Sequence, residues 1–169
     1  MKTVYKIGFI ALCAVLFSSC MKKENYSIIP SISFKEFVVN SDGSATLQIN
    51  FTDGDGDIGY QTSEKNPPID FYIEVLSDSG NSNYVPLFVS GQTDPVMGDT
   101  LFIPYNVPYI TPTGKDKELS GQIQVALAAG VGSWYLKTNS YYEYRIWLID
   151  RANHVSNRIT TPPVLSPPN

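Results

Sequence analysis

Three aspartates at alternate positions, in the run Asp53-Gly54-Asp55-Gly56-Asp57-Ile58-Gly59, are the residues best placed to do chemistry in this 169-residue chain. Carboxylates spaced this way can converge on one hard cation, since Ca²⁺ takes roughly six to eight oxygen ligands. The glycines between them admit the positive-φ turns that bring the oxygens inward. The same residues also make an ordinary turn, because Asp side chains bond their own backbone. An ion would relieve the repulsion among the carboxylates, and so would solvent screening. Both readings stand at this level. The single histidine, His154, lies near Asp150 and Ser156. A nucleophilic triad needs an activated serine on a strained turn and an oxyanion hole. No Gly-x-Ser-x-Gly is present, so His154 is read as a surface turn residue. Paired carboxylates for glycoside hydrolysis are not excluded by spacing, but a small all-β domain rarely holds a deep cleft. Aromatics form the remaining candidate surface. Trp134 and Tyr135 follow Gly130-Val131-Gly132-Ser133, while Trp147 and Tyr72 fall on the outward parity of their strands. Exposed Trp and Tyr suit sugar stacking or protein binding; a covering strand or loop would instead make Trp147 structural.

Numbered from Asp53, the acidic run resembles the EF-hand calcium loop, with Asp at loop positions 1, 3 and 5 and Glu64 at position 12. It departs from that loop where glycine is required, at position 6, which is Ile58. Its flanks are a strand and Pro67-Pro68 rather than helices. An EF-hand is therefore not expected, and any calcium site must use another geometry.

The elements that must position these residues are strands. Ala45, Leu47, Ile49 and Phe51 alternate with polar residues, as do Phe71, Ile73 and Val75, and Ile123, Val125 and Leu127. Tyr142, Tyr144, Ile146 and Leu148 give the strongest period-two pattern. Further strands are expected at Ile32–Val39, Tyr84–Val89, Leu101–Tyr105 and Val155–Thr160. Turn residues separate them at Ser41-Asp42-Gly43, Asn66-Pro67-Pro68, Asp78-Ser79-Gly80 and Thr113-Gly114. Seven or eight short strands without helices predict an all-β, antiparallel, immunoglobulin-like β-sandwich. The run from Tyr142 through Asp150 to Ser156 resembles strand F and the F–G turn of fibronectin type III and related immunoglobulin-like domains. That resemblance implies a corner tyrosine at Tyr142. It also implies that the B–C and F–G loops share one pole, so that Asp150 would join Asp53, Asp55 and Asp57 as a Ca²⁺ ligand.

The N-terminus carries its own signal. Lys2 and Lys6 precede an apolar run from Ile7 to Phe17, followed by Ser18-Ser19-Cys20. The apolar run is too short for the roughly 20 residues of a membrane-spanning helix and fits a cleavable secretory signal. The cysteine after the small pair resembles the lipobox of bacterial lipoproteins, which implies acylation of Cys20; Phe17 departs from the usual Leu, Val or Ile. The expected organisation is a signal peptide at 1–19, a tether at 20–27 with lipidated Cys20, a sandwich at 28–161 and a Pro-rich tail at 162–169. Met21 after the cysteine lacks the inner-membrane retention signal. The resemblance thus points to the outer membrane, with the periplasmic or surface face left open.

Composition narrows the partners. The mature form, Cys20 to Asn169, carries 10 basic and 16 acidic residues, a net charge of −6. Such a chain has no electrostatic footprint for nucleic acid. Cys13 leaves with the signal and Cys20 is the lipid site, so no cysteine remains for a disulfide or zinc cluster. As a whole the chain resembles uncharacterised Bacteroidetes-type surface lipoproteins with one immunoglobulin-like domain. The implied role is a non-enzymatic, lipid-anchored envelope domain for binding, adhesion or scaffolding, partnered by an envelope protein. The alternative is a carbohydrate-binding module of a glycan-uptake system that uses Trp134, Tyr135 and Trp147. A small envelope hydrolase is the third reading.

Overall fold

The computed structural model describes residues 25–61, 63–88, 100–128 and 139–166. Cys20, Trp134 and Tyr135 lie outside them. The described residues form nine strands in two antiparallel sheets, and no helix. The first sheet has the order β1-β2-β6, from β1 (Ser31–Val39), β2 (Ala45–Asp53) and β6 (Leu119–Leu127). The second is built on β3 (Phe71–Asp78) and β7 (Tyr141–Leu148). Here β4 (Tyr84–Pro86) and β5 (Phe102–Tyr105) pair with β3, while β8 (Ile159–Thr160) and β9 (Val164–Leu165) pair with β7. This is the A-B-E and C′-C-F-G arrangement of an immunoglobulin-like sandwich.

Alternation decides which side chains meet between the sheets. Leu47, Ile49 and Phe51 of β2 join Ile123 and Val125 of β6. They pack in one cluster with Ile73 and Val75 of β3 and Tyr144, Ile146 and Leu148 of β7. Each such side chain contributes about 1.5–3 kcal/mol on full burial, and none of the described residues is a cysteine. Tyr142, the expected corner tyrosine, is buried in the same cluster.

Two expectations need correction. The segment 162–169 was expected to be a tail, yet Val164 and Leu165 form a ninth strand against Tyr142 and Tyr141. Pro162 and Pro163 have no N–H and interrupt the ladder; pairing resumes as soon as they end. Trp147 does have outward parity, but it is no ligand-binding surface. Its side chain is only 2% exposed. The ring stacks on Tyr72 at 5.1 Å and lies beneath the Arg158 guanidinium, 4.6 Å from its centroid. With Phe102 these two rings make a second, smaller core on the outer face of the sheet.

Candidate metal centre

β2 delivers Asp53 as its last residue, with no solvent exposure. The Asp53 Oδ2 accepts the Asp57 N–H at 3.0 Å and so folds the following residues back on the strand end. Two glycines make this path possible. Gly56 and Gly59 have φ of 65° and 77°, and a Cβ at either would run into the Lys117 or the Pro108 carbonyl. The opposite side of the centre comes from the turn after β7. There the Asp150 N–H donates to the His154 carbonyl at 3.1 Å, with Asn153 left-handed at φ 68°. The two loops are then bonded together. Asp57 accepts the Ala152 N–H on its Oδ2 at 3.0 Å and the Arg151 N–H on its carbonyl at 3.2 Å.

The outcome is convergence of the four expected residues. Carboxylate oxygens of Asp53, Asp55, Asp57 and Asp150 all lie within 4.8 Å of one another. Asp53 and Asp150 are fully buried, and Asp55 and Asp57 are partly open. The Oδ1 atoms of Asp53, Asp55 and Asp57 are buried and have no hydrogen-bond partner among the described residues. Both Asp150 oxygens face His154: Oδ1 accepts its N–H at 2.7 Å and Oδ2 lies 2.9 Å from its Nδ1. That contact orients the carboxylate, as a partner behind a metal ligand does.

At such distances each ionised pair repels by about 3–4 kcal/mol at an effective dielectric of about 20. Burial, and then the neighbouring carboxylates, push the Asp53 carboxyl up to about 6. Burial, then Asp150 and Asp55, also raise that of Asp57. Among the described residues no Lys or Arg pairs with these carboxylates. The nearest, Arg151, is spent elsewhere. Its guanidinium donates to the carbonyls of Ile58 and Gly59 at 3.1 and 2.6 Å and to the Thr111 hydroxyl at 2.7 Å, and it lies over the Tyr109 ring. Arg151 therefore holds the shape of the loops and offsets only a small part of the charge on Asp57. An all-carboxylate donor set of this charge is suited to a hard divalent cation. Irregular spacing on loops fits Ca²⁺ better than Mg²⁺, which demands near-ideal octahedral geometry.

Glu64 is not part of this group. It is exposed, and its Oε1 accepts the Gln61 N–H at 3.2 Å within a local turn. Ser156 is buried and bonded to the main chain, not to His154: its hydroxyl accepts the Leu148 N–H at 3.0 Å and donates to the Asn157 carbonyl at 2.8 Å. His154 sits in the F–G turn, as expected of a turn histidine. No protein-family model matches this sequence, and comparison with curated proteins returns no match.

Sequence reasoning missed Arg151 and a further buried acid, Asp70, just before β3. Its Oδ1 accepts the Val107 N–H at 2.8 Å, while Oδ2 has no partner among the described residues. Burial raises its carboxyl to about 6. The folded state therefore binds this proton more tightly than the unfolded chain, and the associated stability is lost as pH rises from about 4 through 6. Asp70→Asn keeps the acceptor for Val107 and removes the charge. It is expected to stabilise the protein at pH 7 by on the order of 2 kcal/mol and to have little effect at pH 4. Urea melts at the two pH values check this; equal effects at both would refute it.

Proposed function

We propose that this chain is a non-enzymatic, lipid-anchored module of a bacterial outer membrane. Its immunoglobulin-like sandwich binds one Ca²⁺ across the B–C and F–G loops and serves as a binding, adhesion or scaffold domain. The observation that supports cation binding is the set of four convergent carboxylates, with the buried Asp53 aiming an unpartnered oxygen into it. The lipid anchor rests on Cys20 and its preceding signal-like segment. Isothermal calorimetry with Ca²⁺ is expected to give a single saturable site. At a hundredfold excess over the dissociation constant, binding adds about 2.7 kcal/mol to stability, or roughly 5–10 °C in melting temperature for a chain of this size. Absence of both heat and thermal shift would exclude the cation. A Cys20→Ala protein that stays in the membrane fraction would exclude the anchor.

The carbohydrate-binding reading draws on a different place. A half-open cleft of about 380 Å³ lies at the other end of the sandwich, lined by Ser77, Asp78, Asn139, Ser140 and the exposed Tyr141. A carboxylate, an amide, hydroxyls and an aromatic ring are groups that recognise neutral sugars. Binding to a polysaccharide panel that is lost in Tyr141→Ala but kept in Trp134→Ala would assign it to this cleft.

A further inference from the structure

The residue between the first two acidic ligands has a second connection. The Gly54 N–H donates to the Ser27 carbonyl at 2.8 Å, and a Cβ on Gly54 would run into the carbonyls of Tyr26 and Ser27. The incoming chain is thus laid directly on the acidic loop. A few residues later a second clamp follows. Asn157, just beyond the F–G turn, accepts the Ile32 N–H at 2.8 Å and donates to the Ile32 carbonyl at 2.9 Å, with Ser31 Oγ also bonded at 3.3 Å. Between the clamps, Ile28 and Ile29 are 55% and 51% exposed and only Pro30 is buried, so apolar packing holds this stretch at a single residue. Its two fastenings belong to the two chain segments that the four carboxylates join.

We propose that cation binding at this centre fastens residues 26–30 to the sandwich and thereby sets the length of the stalk that leads to Cys20. The inference rests on the Ca²⁺ reading above. Without the cation, repulsion spreads the loops, and both Gly54 and Asn157 shift relative to the incoming chain. With it, the stalk ends at Ser27, seven residues from Cys20, a reach of at most about 25 Å. With the clamps released, the stalk ends at Ser31, the first residue paired in β1, eleven residues away, and the reach grows to about 40 Å. Linkage is reciprocal, so whatever frees the stalk also weakens the cation.

Hydrogen exchange of the mature lipidated protein in detergent, with and without saturating Ca²⁺, tests this. The amides of Gly54 and Ile32 are expected to exchange about tenfold more slowly with the cation, while that of Ser166, bonded to Ser140 at the opposite pole, is unchanged. If Asp57 and Ala152 are protected and Gly54 and Ile32 are not, the cation centre stands and the coupling is refuted. If none of the four is protected and calorimetry shows no heat, the centre itself fails and the coupling with it. Asn157→Ala, which touches none of the carboxylates, supplies the reverse arm. It is expected to lower Ca²⁺ affinity by a few fold, and wild-type affinity would overturn the coupling.

Discussion

Replacing Asp53 by Asn is expected to raise the melting temperature of the cation-free protein at pH 7 and to remove the rise that Ca²⁺ brings to the wild type. The two effects have opposite signs and a single cause. In the folded protein the Asp53 carboxyl is pushed up to about 6, first by burial and then by its acidic neighbours. Each unit of such a shift corresponds to about 1.4 kcal/mol. Because the folded pKa exceeds the unfolded one, stability from this group is complete below about pH 4 and is lost as pH rises through 6. Asparagine keeps an oxygen to accept the Asp57 N–H and takes the charge away, so the apo protein gains on the order of 2 kcal/mol at pH 7. Removing that charge also removes a buried ligand, and with it the roughly 2.7 kcal/mol that a hundredfold excess of cation supplies. Thermal melts from pH 4 to 8, with Ca²⁺ or with chelator, read both. For the wild type, cation and proton compete, so the Ca²⁺-induced shift shrinks as pH falls below 6. A plain acidic turn behaves differently: Asp53→Asn would still stabilise it, but Ca²⁺ would change neither protein.

Trp147→Ala is expected to cost about 3–5 kcal/mol of stability, the range for truncating a buried aromatic. The ring is sandwiched between Tyr72 and Arg158 and packs with Phe102, Ile69 and Ile149. Its removal opens a void that β3 and β7 flank, and the stacked Tyr72 loses its main contact on that side. Urea titration measures the loss directly. A surface tryptophan serving a ligand would give a change within about 0.5 kcal/mol, so a small effect would return Trp147 to the candidate binding residues.

What could be read from the chain follows from how far each signal reaches. The alternation from Ala45 to Phe51 and from Tyr142 to Leu148 is local, and it located β2 and β7 and the side chains of the common core. The meeting of Asp53, Asp55 and Asp57 with Asp150 followed from that strand order together with a shared loop pole. Alternation assigns Trp147 to an outer face but is silent on whether that face is covered. The cover comes from Arg158, in the segment expected as a strand over Val155–Thr160, of which only Ile159 and Thr160 are paired as a strand. Asp70 follows the turn residues Asn66-Pro67-Pro68 and reads as exposed loop; its partner, Val107, lies 37 positions away. Arg151 carries no local signal, because its acceptors, the Ile58 and Gly59 carbonyls and the Thr111 hydroxyl, lie 40 to 93 positions away. β9 was hidden by the prolines on either side of it.

The placement of the first and last strands has a mechanical consequence. Ser31 enters beside Thr52 at the acidic pole, whereas Leu165 leaves beside Tyr141 at the opposite one. If Cys20 is anchored as proposed, tension between it and anything gripping the far end runs along the strands. The β1–β2 ladder, paired from Ser31 to Val39, is loaded in shear, so its bonds share the force rather than unzip one by one. β9, with two paired residues and the Ser140–Ser166 bonds beside them, is the shorter ladder and is expected to yield before β1–β2 under such a load.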